Sequence, residues 1–198
     1  MLLDSGHAVF LLSDGMGTGG RAAIDAAMTC GLLWQLMRAG FDADGAMGMV
    51  NGALMLRTED ETLSTVDCLC VDLFDGRAVL YKAGAASSFL RRYGEVTELR
   101  LDSLPLGIME RVDSASLELR LNAGDILLFV SDGVIGEGSV GWIERILGDH
   151  DPERDDLRSL AGRIVCSAPG TGSDDVTALA IRLELRHPET EDDPDRAQ

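Results

Sequence analysis

Hydrophobic and polar positions change period along the chain, and each change predicts an element. Apolar residues run unbroken through Val9-Phe10-Leu11-Leu12, which predicts a strand over His7–Ser13 covered on both faces. Asp4-Ser5-Gly6 ahead of it reads as a hairpin turn. Helical spacing then takes over. Ala23, Ile24, Ala27, Met28, Leu32, Leu33, Leu36 and Met37 predict a helix over 21–39, ended by Gly40. Ala46, Met49, Val50, Ala53, Leu54 and Leu56 predict a second over 42–57. Met28, Met37, Met47, Met49 and Met55 fall at core spacing on these two helices.

From Ser64 the period becomes two. Thr65–Phe74 and Arg77–Gly84 predict a hairpin around Asp75-Gly76, and Ser87–Tyr93 with Val96–Arg100 another around Gly94-Glu95. Leu104–Gly107 is a loop. Leu117–Leu121 and Asp125–Ser131 are strands around Asn122-Ala123-Gly124. Helices are expected over Gly141–Leu147 and Pro152–Ser167. A glycine-rich loop, Gly170–Ser173, then leads to a last strand over Val176–Leu185. This order lacks the strand-helix-strand alternation of a doubly wound sheet. It predicts an α+β domain over 1–185, two antiparallel sheets with helices packed outside. Residues 186–198 are polar and acidic and read as a disordered tail.

The formal net charge of −17 over 198 residues excludes phosphate-backbone attraction as a binding mode, so nucleic acid and anionic membrane surfaces are not expected partners. No apolar run approaches the length of a membrane span, and no signal peptide opens the chain, which points to a cytoplasmic location. Cys30, Cys68, Cys70 and Cys166 form no C-x-x-C pair, and none has an arginine six positions on, so the loop of cysteine-dependent phosphatases is absent. Cys68 and Cys70 share one strand face as core thiols. With His7, His150 and His187 scattered, a zinc site is not expected.

Candidate chemistry lies in a repeated tripeptide. Ser13-Asp14-Gly15 ends the first apolar strand, and Ser131-Asp132-Gly133 ends another; Asp174-Asp175 stands at the start of the last strand. Carboxylates at the ends of core strands repel one another if they meet, and divalent cations relieve that repulsion. Gly15, Gly17, Gly19 and Gly20 would let backbone carbonyls approach a cation. The same glycines formally match the G-x-G-x-x-G dinucleotide fingerprint. That reading sets Asp14 against a pyrophosphate, and it lacks the second parallel strand such sites need.

Several stretches together carry a family resemblance. They are Ser13 through Gly19, Leu56-Arg57-Thr58, Ser64-Thr65-Val66-Asp67, Lys82-Ala83-Gly84-Ala85, Leu104 through Ile108, Ser131-Asp132-Gly133, and Asp174 through Thr177. In this order they resemble the phosphatase domain of the stage II sporulation protein E family, within the PP2C-type metal-dependent serine/threonine phosphatases. The resemblance implies an αββα sandwich holding two Mn²⁺ or Mg²⁺ ions between its sheets. Asp14 would bridge the ions and the Gly15 carbonyl would contact one. Asp132 and Asp174, rather than Asp175, would complete the first ion's shell. A water bridging the metals would attack a phosphoserine, with no protein nucleophile. Lys82 matches a structural strand position. The resemblance further implies an anti-anti-sigma factor as phosphoprotein partner and a sigma-factor cascade in sporulation as context. It also implies a switch and homodimer surface built from helices 21–39 and 42–57.

The family carries an earlier strand with a Gly-Asp pair whose acid helps hold the second ion, and this sequence begins after the matching point. The expectation is therefore an N-terminally truncated sandwich, whether a fragment of a membrane-anchored parent or a degenerate copy. Its first strand should be left with an open apolar edge, bringing self-association and weak Mn²⁺-dependent turnover. The alternative function is a catalytically inactive phosphatase-like module acting in regulation or dimerisation.

Overall fold

In the structure, a computed structural model, residues 2–3, 6–17, 19–57, 63–112, 114–136, 138–169 and 175–185 are described. Among the described residues the elements follow in this order: β1 (His7–Gly15), α1 (Gly20–Arg38), α2 (Ala43–Met55), β2 (Ser64–Asp72), β3 (Arg77–Ala83), β4 (Ser88–Arg92), β5 (Glu95–Leu99), β6 (Ala115–Arg120), β7 (Ile126–Val130), α3 (Asp132–Ile135), α4 (Gly141–Gly148), α5 (Leu157–Ser167) and β8 (Ala178–Arg182). Two four-stranded antiparallel sheets result, β1-β2-β3-β6 and β5-β4-β7-β8.

Three apolar seams hold four layers together. Val9, Val66 and Cys68 on the outer face of the first sheet meet Leu33, Met37, Met47 and Leu54 of α1 and α2. Between the sheets, Leu69 and Leu80 meet Leu127, Phe129 and Ile181. Behind the second sheet, Ile126, Leu128 and Val130 meet Ile143 and Leu147 of α4 and Leu160 and Ile164 of α5. Alternate residues of β7 thus serve different seams, and all five are buried. The expected α+β sandwich of two antiparallel sheets flanked by helices is the architecture observed.

Several expected boundaries shift for local reasons. Among the described strands β1 lies at the edge of its sheet, and most of its residues are only half-buried rather than covered on both faces. It continues to Gly15 because pairing with β2 persists through Asp14↔Thr65 and Gly15↔Ser64. Of its expected upstream turn, Asp4 and Ser5 lie outside the described residues, while Leu2 bridges Ala8. The β2–β3 connection is longer than Asp75-Gly76. Asp72 accepts from Phe74 N and Asp75 from Arg77 N, closing a wider turn. In the β4–β5 hairpin the turn residues are Tyr93 and Gly94, both at positive φ, so the turn falls one residue earlier than expected.

The segment Asn122-Ala123-Gly124 is not a hairpin. It carries the chain from β6 in one sheet to β7 in the other, and Asp125 organises that corner by accepting from Asn122 N and from Arg92. The helix expected from Pro152 begins at Leu157, where Asp156 caps the Ser159 N–H. Met37 and Met47 are core, whereas Met49 and Met55 are exposed. The Gly170–Ser173 loop, Asp174 and residues 186–198 lie outside the described residues.

Candidate metal centre

The two Ser-Asp-Gly corners stand at the same end of the sandwich. Asp14 occupies the next-to-last position of β1, opposite Thr65. Its N–H donates to Thr65 Oγ1 at 3.1 Å, and the Ser64 and Thr65 hydroxyls both donate to its carbonyl at 3.3 Å. The Ser13 and Ser64 hydroxyls share a 2.7 Å bond. β2 thereby clamps the backbone that carries Asp14. Gly15 is fixed by sterics, because a Cβ there would stand 2.1 Å from the Ala22 carbonyl oxygen. Only glycine lets the first turn of α1 press so closely on the strand end. Gly17 at φ +107 and Gly19 at φ +85 complete the turn in the left-handed region.

Asp132 opens the single turn of α3, and its carboxylate accepts from the Gly133 N–H at 2.9 Å. Ser131 before it is buried and makes three bonds to the chain entering β8. Its hydroxyl donates to the Asp175 carbonyl at 3.1 Å and accepts from Thr177 N–H at 3.0 Å, while its own N–H donates to the Thr177 carbonyl. The second corner is therefore tied to the segment that follows Asp174, itself outside the described residues.

Two clefts meet at Asp14. The larger, about 280 Å³, runs between Asp14, Gly15 and the α1 residues Ala22 and Ala26 on one side and Ser131 and Asp175 on the other. The smaller lies between the sheets and is lined by Asp14, Thr65, Asp67, Ala86 and Asp132. Asp14 thus lines one cleft with Asp132 and the other with Asp175. Among the described residues no three His, Cys, Asp or Glu side chains are grouped closely enough to enclose an ion. The donors that do face the clefts are carboxylates, with the Gly15 backbone beside them, a hard-oxygen set that fits Mg²⁺ or Mn²⁺.

The structure adds residues that the motif reading did not single out for the site. Ser13, Ser64, Thr65 and Ser131 hold the corners, and a hydroxyl beside an aspartate gives no pattern specific enough to reveal that. Asp67 lines the smaller cleft and pairs with Lys82; burial pushes the Asp67 carboxyl up and the Lys82 ammonium down, and the ion pair opposes both. Asp25 of α1 is buried and pairs with Arg57 at 2.5 Å, tying α1 to the chain just beyond α2. Cys68 and Cys70 lie on the helix-covered face of β2 with sulfurs 3.9 Å apart. The Cys70 contact, and burial after it, push the Cys68 thiol up.

Residues 4–184 match the profile of the family described as stage II sporulation protein E (SpoIIE). The chain is similar to the stage II sporulation protein E of Priestia megaterium, 31% identical over 195 residues that make up 94% of this chain and 33% of that protein. It is also similar to the Bacillus subtilis (strain 168) protein of the same name, 33% identical over 186 residues, 89% of this chain and 22% of that one. The chain therefore spans about a third or less of the length of these curated relatives. Among solved structures it is similar to the PP2C phosphatase domain, with a fragment of the regulatory domain, of the cell fate determinant SpoIIE from Bacillus subtilis. The TM-score is 0.79 at 30% identity, covering 92% of this chain and 56% of that one.

Proposed function

Because the chain belongs to the stage II sporulation protein E family and has the fold of its PP2C phosphatase domain, we propose that it is a metal-dependent protein serine phosphatase. The observation that carries this reading is the place of Asp14 in the wall common to two clefts, one shared with Asp132 and the other with Asp175. In this reading Asp14, the Gly15 carbonyl, Asp132 and Asp174 hold two Mn²⁺ or Mg²⁺ ions. Such ions, when bound, supply the charge that activates water and offsets charge on the phosphoryl oxygens.

The chain's own part is orientation. The Ser64 and Thr65 hydroxyls fix the backbone of Asp14, and Ser131 fixes the relation of Asp132 to the strand entered after Asp174. The backbone that carries each carboxylate is thus set by hydrogen bonds made before any ligand arrives. The absence of a C-x5-R loop in the sequence agrees with a reaction that uses no cysteine nucleophile.

The family reading extends to a phosphoserine on an anti-anti-sigma factor as substrate, and to α1 and α2 as the surface for switching and dimer formation. Two features support a regulatory role for the helices: Ala22 and Ala26 line the larger cleft, and the Asp25–Arg57 pair joins α1 to the end of α2. No helix among the described residues is long and apolar enough to cross a membrane.

The test is hydrolysis of p-nitrophenyl phosphate and of a phosphoserine protein with Mn²⁺, Mg²⁺ or a chelator, alongside Asp14→Ala. Turnover that needs the cation and disappears with Asp14 is expected. A folded chain with no turnover under any cation would leave the alternative, a non-catalytic module. A thermal shift with NAD or ATP that needs no metal would favour nucleotide binding instead.

A further inference from the structure

Lys82 is the only lysine in the sequence, and its side chain is wholly buried. It stands on β3 directly across from Asp67 on β2, and Asp67 in turn lies across from Leu12 on β1. This row is one pleat in from the Asp14↔Thr65 pair and on the same face of the sheet. The three ammonium protons have three acceptors: Asp67 Oδ1, the Ser88 hydroxyl at 2.9 Å and the Ala86 carbonyl at 2.6 Å. Ser88 also donates to Asp67 Oδ1, and the ring of Phe129 lies 6.0 Å away. Two of these partners are walls of the candidate centre. Asp67 and Ala86 line the small cleft together with Asp14 and Asp132.

A fully buried ion pair is a poor way to gain stability, since an apolar pair of the same volume often does as well. Its position gives it another use. We propose that Lys82 and Asp67 are positioning residues that set the charge and shape of the small cleft. The ammonium neutralises Asp67, so that Asp14 and Asp132 carry the attraction for a cation. Through the Ala86 carbonyl it also holds the loop Gly84-Ala85-Ala86 against the cleft. Neither residue touches substrate in this account. The inference rests on the metal-centre reading above and deepens it.

A charge-setting role has a signature that packing alone does not. Asp67→Asn leaves an uncompensated buried ammonium behind the cleft wall and should weaken Mn²⁺ binding about tenfold, since an added like charge at close range in a poorly solvated wall is worth roughly that much. Lys82→Met leaves the Asp67 carboxylate uncompensated and should tighten Mn²⁺ binding by about threefold, while turnover falls because the loop loses its tie. The double variant Lys82→Met/Asp67→Leu removes both charges and should return affinity toward that of the parent chain.

The experiment is calorimetric Mn²⁺ titration of the three variants, the parent and Asp14→Ala, with a thermal melt of each. Opposite signs in the two single variants and recovery in the double support the proposal. If Lys82→Met does not fold, tighter Mn²⁺ binding by the double variant than by Asp67→Asn supports it on the same logic. Losses of one sign in every variant, in step with their melting temperatures, overturn it. So does unchanged affinity throughout, when Asp14→Ala has lost the ion. Parent-like Mn²⁺ binding by Asp14→Ala would instead overturn the metal-centre reading, and this inference with it.

Discussion

The same tripeptide closes two very different strands. Ser13-Asp14-Gly15 ends β1, a half-buried edge strand paired only with β2 among the described residues. Ser131-Asp132-Gly133 ends β7, which lies between β4 and β8 and buries every residue from Ile126 to Val130. At the first corner the serine reaches sideways to Ser64 on the neighbouring strand, and the glycine admits the first turn of α1. At the second the serine makes a two-way tie to the backbone entering β8. One corner is an edge steadied by a helix and a hydroxyl clamp; the other is part of the rigid interior. An identical local sequence therefore delivers a carboxylate to the same end of the sandwich by two mechanical routes.

The largest effects should come from the carboxylates themselves. Asp14 is common to both clefts, so Asp14→Ala should remove Mn²⁺ binding and lower turnover beyond the roughly 10–100-fold typical of an outer-shell change. Calorimetric stoichiometry equal to that of the parent chain would contradict it. Asp132→Asn should abolish metal-dependent turnover while leaving the melting temperature nearly unchanged, because an amide oxygen can still accept from Gly133 N–H. Near-parent activity in that folded variant would remove Asp132 from the centre.

The supporting residues should separate the corners by stability. Ser131→Ala strips a buried hydroxyl that both donates and accepts, and should cost about 1–3 kcal/mol. Ser13→Ala breaks one half-buried hydroxyl pair and should cost less, about 0.5–1.5 kcal/mol. Gly15→Ala must push against the Ala22 backbone and should cost about 1–3 kcal/mol, with the strain falling on the α1 side of the larger cleft. Denaturant midpoints rank the three. Equal losses for Ser13→Ala and Ser131→Ala would erase the distinction between edge and interior.

Much of this arrangement is legible in the sequence because it rests on strong periodicity. The unbroken apolar runs before Asp14 and Asp132 announce strands, and the helical spacing of α1 and α2 survives to within about two residues at each end. What is not legible depends on partners distant in the chain. Asn122-Ala123-Gly124 carries the same turn chemistry in a hairpin as in a crossover, and Asp125's bonds to Asn122 and Arg92 belong to the crossover actually formed. The site roles of Ser64 and Thr65 depend on a register of β1 against β2, across a long stretch of intervening chain, that no local pattern encodes. Asp67 and Lys82 read as alternating polar residues on strands, and only the pairing of β2 with β3 puts them together beneath Asp14. Asp174 remains a reading from the motif, since it lies outside the described residues.

The smallest effect tests whether the interior corner owes its rigidity to the helices behind it. His150 follows α4, is 1% exposed, and has no hydrogen-bond partner at either ring nitrogen among the described residues. Arg91 of β4 donates to its carbonyl, and Arg163, Arg182 and Asp155 also face it. Burial lowers its affinity for a proton, the nearby arginines lower it further, and Asp155 opposes them, so in the folded state it titrates below its ordinary value of 6.5. The unfolded chain then binds the proton more readily than the folded one. The stability His150 preserves by staying neutral is fully present above pH 6.5 and declines as pH falls toward the lowered folded-state value. Acid should therefore loosen the layer of α4 behind β7 before it affects the β1 corner. Melting temperatures followed downward from pH 7 should fall less steeply in His150→Gln than in the parent chain, after correction for the carboxylates common to both. Hydrogen exchange should show the α4 amides opening first. Identical slopes in the two proteins, or first opening at β1, would mean that the edge is the weaker corner at every pH and that the buried histidine has no part in the difference.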